Sequence, residues 1–243
     1  MSLPPVEIPL GAMRFNSDSQ KLEYFNGQIW MQIHTFSPNL DGGARGLFAG
    51  GNISPAYTNF IDYITISSAG NATDFGDLND TLYEGGATSS NTRGIIMLGY
   101  THPANSDTIE YVTMSSTGNT VDFGNTTQTA RITCLFSNGT RGVMAGMYTN
   151  PGAKTNTINY VTIATTGNAA DFGDLLQLNM NGGGVSSPTR GVKGGGYSTP
   201  TNGAIDVIEY ITIQTLGDSV DFGNLTVART WAPGISNAHG GLG

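Results

Sequence analysis

Ile109-Glu-Tyr-Val-Thr-Met114, then Gly118-Asn-Thr-Val-Asp-Phe-Gly124, then Arg141-Gly-Val-Met-Ala-Gly-Met147 is the stretch on which the fold turns. The first block returns as Ile61-Asp-Tyr-Ile-Thr-Ile66, Ile158-Asn-Tyr-Val-Thr-Ile163 and Ile208-Glu-Tyr-Ile-Thr-Ile213. The second returns as Gly70-Asn-Ala-Thr-Asp-Phe-Gly76, Gly167-Asn-Ala-Ala-Asp-Phe-Gly173 and Gly217-Asp-Ser-Val-Asp-Phe-Gly223. The third starts at Arg45, Arg93, Arg141 and Arg190, at spacings of 48, 48 and 49 residues. Blocks recurring in fixed order at a fixed period mark a repeat architecture, in which each unit buries its apolar face against the next.

Each block reads as a strand. Ile-Glu-Tyr-Val-Thr-Met is β-branched and aromatic, with no Gly or Pro inside. Its flanks, such as Thr149-Asn-Pro-Gly-Ala-Lys-Thr-Asn156, are turn residues. No stretch carries a sustained helical period; Leu175-Leu-Gln-Leu-Asn-Met180 comes nearest and soon meets Gly182-Gly-Gly184. The third copy then holds four strands: Arg131 to Ser137, Arg141 to Gly146, Thr157 to Ile163, and a short one around Ala170 to Leu175. An Asn138-Gly139 turn joins the first two. A four-stranded unit of this period fits a propeller blade, where WD40 blades run about 40–45 residues and kelch blades about 50. Glycines ending the second strand, and no Trp-Asp dipeptide, favour the kelch type.

The ends complete the count. Residues 13–33 predict strands at Met13 to Asn16, Lys21 to Phe25 and Gln28 to Ile33, with an Asn26-Gly27 hairpin turn. The first half of residues 229–243 aligns with the first strand of the other repeats. The fold class expected is therefore all-β, a kelch-like β-propeller of five blades. Four repeats of about 48 residues make four blades, and 13–33 with 229–243 make a composite fifth. Joining the ends removes exposed edge strands. An open stack, or a ring completed by another chain, are the rival arrangements. Residues 1–12 form an extended Pro-containing arm ahead of the propeller, 13–243.

Composition excludes several functions. Net charge is −8 with a pI near 4.6, and the only lysines are Lys21, Lys154 and Lys193. Nucleic-acid binding needs clustered cations, so no nucleic-acid partner is expected. No run of about 18 apolar residues is present, so no membrane insertion is expected. No basic-then-apolar secretory leader is visible. A single cysteine, Cys134, allows no internal disulfide. Charged residues are only 12% of the chain against about a quarter in ordinary soluble domains.

No catalytic constellation is read. His34, His102 and His239 lack metal-ligand spacing, so neither a metal nor a cofactor is expected. Asp-Phe-Gly also marks kinases, but here it occurs four times without the accompanying loops. The repeated Tyr63, Tyr111, Tyr160 and Tyr210 are expected to pack between blades. Arg45, Arg93, Arg141 and Arg190 are expected to pair with Asp74, Asp122, Asp171 and Asp221, or those aspartates to cap turns. Binding is expected where repeats differ, on loops at one face. These are the loops between second and third strands: 52–59, 101–107, 149–156 and 198–206. Tyr57, His102, Lys154 and Asn202 are the candidate binding residues there.

The pattern Ile-Glu-Tyr-Val-Thr-Ile-x-Thr-x-Gly-Asn-Ala-x-Asp-Phe-Gly, followed by Ser-Ser-x-Thr-Arg-Gly-Val, resembles kelch-like repeat proteins encoded by tailed bacteriophages. Gly11-Ala-Met-Arg-Phe-Asn-Ser-Asp-Ser-Gln-Lys-Leu-Glu-Tyr-Phe-Asn-Gly-Gln-Ile-Trp-Met-Gln-Ile33 is similar to a hairpin common in virion appendage proteins. The resemblance covers residues 11–243 and implies a non-enzymatic virion structural protein. It is of tail-fibre, tail-tip, baseplate or capsid-decoration type, localised to the virion. Its partners are other virion proteins and a host-surface polysaccharide or protein, and it forms a homo-oligomer or ring in a larger assembly. The chain departs from this group in having no long fibre shaft. A lectin-like propeller outside a virion is the alternative. A glycan hydrolase would need two carboxylates about 5 or about 6.5–9.5 Å apart.

Overall fold

The computed structural model describes residues 8–16, 21–32, 45–97, 99–131, 134–149 and 152–236. The described chain is all-β, antiparallel strands with no helix among them. It divides into two units, residues 1–40 and 41–243. His34, His239 and residues 1–7 lie outside the described residues.

The first unit is a three-stranded meander of Met13–Asn16, Lys21–Phe25 and Trp30–Gln32. The Asn26 side chain accepts from Gln28 and Ile29 N–H and holds the turn. Arg14 donates to Glu23 Oε2 at 2.8 Å and lies 4.2 Å over the Trp30 ring. Hydrogen bonds from Asn16 and then Arg14 hold the Glu23 carboxyl below its ordinary range.

The second unit is a series of repeats. Repeat 1 has Arg45–Asn52, Tyr57–Thr65 and Thr73–Asp77. Repeat 2 has Gly86–Ser89, Arg93–Met97, Thr108–Thr113 and Val121–Asn125. Repeat 3 has Leu135–Ser137, Arg141–Ala145, Thr155–Thr162 and Ala170–Met180. Repeat 4 has Gly183–Ser186, Arg190–Ser198, Gly203–Thr212 and Val220–Asn224. Repeats 2 to 4 each pair these in chain order as a four-stranded meander. The last strand of repeat 3 is longer than the sequence suggests. Its far end, Asn179 and Met180, pairs with Ser198 and Tyr197 of repeat 4. The stretch with the nearest helical look is thus a strand, because two partners take its backbone groups.

Three apolar clusters hold consecutive repeats together. Ile61, Phe75 and Leu78 of repeat 1 meet Ile96 and Val112 of repeat 2. Ile95, Met97, Ile109 and Phe123 meet Met144, Val161 and Ile163. Val143, Ala145, Ile158, Phe172 and Leu175 meet Ile211 and Ile213. The core lies between sheets, so burial depends on neighbours.

Main-chain hydrogen bonds repeat at every joint. Gly118, Gly167 and Gly217 N–H donate to Phe75, Phe123 and Phe172 carbonyls at 2.7–2.8 Å. Thr120, Ala169 and Ser219 N–H donate to Asp77, Asn125 and Asp174. In return Asp77, Asn125 and Asp174 N–H donate to Asn119, Asn168 and Asp218 side chains. This explains Asp-Phe-Gly. The Phe ring is the buried side chain, and Gly76, Gly124 and Gly173 have φ of 145–147° or 142° at a bulge. A Cβ there would stand under 3.0 Å from the next repeat's glycine carbonyl.

Each repeated Tyr ring packs edge-on against the Phe of its own repeat, centroids 5.7–6.0 Å apart. Tyr63, Tyr111 and Tyr160 also pack against the apolar clusters between repeats. Each repeated Arg lies over the Tyr of its own repeat at 4.6–4.8 Å. Arg45, Arg93 and Arg141 then reach the next repeat, donating to Met114, Ile163 and Ile213 carbonyls. In place of the expected Arg–Asp pairs, one guanidinium nitrogen of each of Arg45, Arg93 and Arg141 bonds a carbonyl of the next repeat.

After repeat 4, residues 229–236 continue the pattern. Gly196 N–H donates to the Arg229 carbonyl and Trp231 N–H to that of Asn181. A serine ladder runs from Ser137 to the Ser89 carbonyl, Ser186 to Ser137, and Ser236 to Ser186. Residues 233–236 therefore stand where the first strand of a further repeat stands. Among the described residues the strand pairings do not close into a ring.

Candidate functional site

The second strands extend past the sheet cores and end in loops along one edge of the repeat unit. Tyr100, Tyr148 and Tyr197 sit at the same place in repeats 2, 3 and 4, each half-buried. Between Tyr100 and Tyr148 the Arg131 guanidinium lies 5.1 Å from one ring and 5.5 Å from the other. Glu84 at 2.7 Å and the Asn105 side-chain oxygen at 3.0 Å fix its plane. Asn105 also donates to the Tyr148 carbonyl.

The four sequence-predicted residues fall along this row as two pairs. Tyr57 stacks on Tyr83 at 5.1 Å and meets Tyr100 edge-on at 5.9 Å. His102 joins from the other side, Nδ1 3.2 Å from the Tyr100 hydroxyl. Lys154 places its ammonium 4.7 Å from the Tyr197 ring. That tyrosine's hydroxyl donates to Asn202, whose left-handed φ of 46° turns the loop tip. Arg131 and Tyr148 lie between the pairs.

Sequence reasoning passed over Tyr100, Tyr148, Tyr197 and Arg131. The signal was available: a tyrosine seven residues after each of Arg93, Arg141 and Arg190. Such a row offers flat π-faces, hydroxyls and cations. That is the equipment for stacking on sugar rings and for hydrogen-bonding their hydroxyls.

A cleft of about 550 Å³ lies elsewhere, along Arg45–Asn52 and Gly86–Ser89, with Leu47, Ile95 and Met114 in its wall. A second unusual feature is buried. Lys193 is 2% exposed and occupies the place held by Ile96 and Met144 in earlier repeats. Its ammonium donates to the Gly195 carbonyl at 3.1 Å. Burial pushes its pKa down, offset in part by Cys134 and Glu209. Burial likewise pushes the Cys134 thiol up to about 11. Glu209, paired in register with Lys193, accepts from Leu176 N–H and Ser219 Oγ, while its other oxygen is unpartnered. This group joins repeats 3 and 4. Among the described residues no group of three or more His, Cys, Asp or Glu is placed to hold a metal.

The sequence matches no protein-family model and no curated protein.

Proposed function

We propose that this chain is a non-enzymatic structural protein of a tailed-bacteriophage particle. It would be an appendage of tail-fibre, tail-tip or baseplate type, presenting the tyrosine row to a host-surface polysaccharide. The reading rests on the repeat and hairpin motifs, which together span residues 11–243. The observation that carries the recognition role is the run Tyr57, Tyr100, Arg131, Tyr148, Lys154 and Tyr197 along one edge of successive repeats. A row of aromatic faces spaced by a structural repeat suits a polymer of repeating units. Other virion proteins are its partners, and no cofactor enters this role.

Within this reading the repeats are kelch-like blades. A five-bladed ring with 13–33 and 229–243 as its composite fifth blade is the single-chain arrangement of such blades, and the stacking of copies argued below is its rival. The four-strand meanders support the blades, and the first-strand position of 233–236 supports a further one.

An inventory of purified particles by mass spectrometry and cryo-electron microscopy tests the proposal. Presence at fixed stoichiometry is expected, its position separating tail from capsid surface. Absence from particles sinks the virion reading. Binding to a glycan array by a chain absent from particles would favour the lectin-like alternative.

A further inference from the structure

The two ends of the repeat series are unlike every joint between them. Phe75, Phe123 and Phe172 are each 2% exposed, but Phe222 in the same place is 54% exposed. A Cβ on Gly76, Gly124 or Gly173 would meet the next repeat, whereas one on Gly223 would meet nothing within 4 Å. Arg45, Arg93 and Arg141 each bond a carbonyl of the following repeat, and Arg190 has no following repeat to bond. Repeat 4 therefore carries the receiving half of a joint.

Repeat 1 carries the inserting half. Its Gly70-Asn71-Ala72 corresponds to Gly118-Asn119-Thr120 and Gly167-Asn168-Ala169, the loops that fill the other joints. Its Ile66 carbonyl corresponds to those of Met114, Ile163 and Ile213, and Ile66 and Phe48 are 66% and 62% exposed. Among the described residues Arg45–Asn52 has no strand paired on the edge that faces the cleft. At the other end, 233–236 takes the first-strand position of a further repeat without forming a strand, and no second strand follows it among the described residues.

We propose that the exposed face of repeat 4 is the docking surface for repeat 1 of a second copy of this chain. Copies stack head to tail through a fourth example of the joint each chain already contains three times. Gly70 N–H donates to the Phe222 carbonyl, Ala72 N–H to that of Asn224, and Arg190 to that of Ile66. This occupant is chosen over the chain's own hairpin for a chemical reason. The turn Asn26-Gly27-Gln28-Ile29 is a tight hairpin connection with no Gly-Asn loop to reach the Phe222 carbonyl. Contacts of this heterologous kind generate rings or filaments according to their rotation. The proposal stands apart from the virion reading, because it rests on joint geometry alone.

The test is self-association of the full chain by light scattering and sedimentation across a wide dilution series. Masses at multiples of 25.4 kDa, rising with concentration, are expected. Phe222→Asp, on a side chain the lone chain leaves more than half exposed, should weaken association about tenfold or more while leaving the far-ultraviolet spectrum unchanged and lowering the melting temperature only slightly. A second measurement names the occupant. With Cys134 replaced by Ala, Asn71→Cys and Asn224→Cys are carried on separate chains, mixed, and treated with a short thiol cross-linker. A covalent dimer in the mixture, absent from either variant alone, is the expected result. The proposal is overturned by a 25.4 kDa mass at every concentration. It is equally overturned if the doubly substituted chain cross-links only within itself and the mixture gives no dimer. The particle inventory is a separate readout, so either proposal can fail without the other.

Discussion

Phe172 and Phe222 hold the same position in consecutive repeats, close the same Asp-Phe-Gly motif, and pack edge-on against the same kind of tyrosine. One is sealed between sheets and the other faces outward. The tyrosine contact comes from the repeat itself, whereas burial comes from the neighbour. Local structure is thus written within about 48 residues, while most of the stability is written between them. In such a linear array, intrinsic and interfacial contributions separate and can be measured one at a time.

The sharpest way to break the comparison is at the glycines. Gly173→Val drives a side chain into the carbonyl of Gly217 and should cost about 2–5 kcal/mol, combining backbone strain and overpacking. Gly223→Val has only the strain and should cost about 1–3 kcal/mol. Denaturant unfolding of the two variants in dilute solution checks the gap, and equal costs would deny that the joint is tight. Next come the rings themselves. Phe172→Ala should cost about 3–5 kcal/mol and Phe222→Ala about 1 kcal/mol.

Arg141 and Arg190 give a smaller contrast of the same kind. Arg141→Met loses a 2.7 Å bond to the Ile213 carbonyl as well as its place over Tyr160, about 2–3 kcal/mol in all. Arg190→Met loses only the ring contact, about 0.5–1 kcal/mol. Cys134 sharpens the picture of the interior joint through pH. Its thiol titrates higher folded than unfolded, so its stabilising contribution is complete below pH 9.0 and fades as pH rises through about 11. Melting of the native chain should fall across that window, and Cys134→Ala should remove that part of the fall. The smallest effect on stability belongs to the edge. Tyr148→Ala and Lys154→Ala should leave melting within about 0.5–1 kcal/mol of the parent, while reducing retention on a host-polysaccharide column.

The repeat, the all-β class, the meander order and most strand positions were legible in the sequence, because β-branched blocks and turn residues alternate at a constant period. The last strand of repeat 3 was not, since its extension to Met180 depends on a partner strand in repeat 4. The Arg–Asp expectation failed for a related reason. Opposite charges at matching spacings suggest pairing, but the acceptors turned out to be carbonyls, which sequence does not display. Tyr57, His102, Lys154 and Asn202 were named by looking where repeats differ, and the structure places them beside the tyrosine row. Tyr100, Tyr148 and Tyr197 were missed because they are where the repeats agree, and regularity was read as architecture. Lys193 shows the reverse: a charged residue in an apolar position, visible only once register places it opposite Glu209.

The joints combine apolar side-chain clusters with N–H and C=O groups that every residue type carries, glycine being demanded only where chains cross closely. The part of the interface made of main-chain atoms is insensitive to the side chains around it. The Ser89, Ser137, Ser186 and Ser236 rungs stay aligned although successive intervals lengthen from 48 to 49 to 50 residues. The added residues lie outside the joint. They fall in the loops between second and third strands. Loops on the tyrosine edge can therefore take up insertions while the ladder between repeats keeps its register.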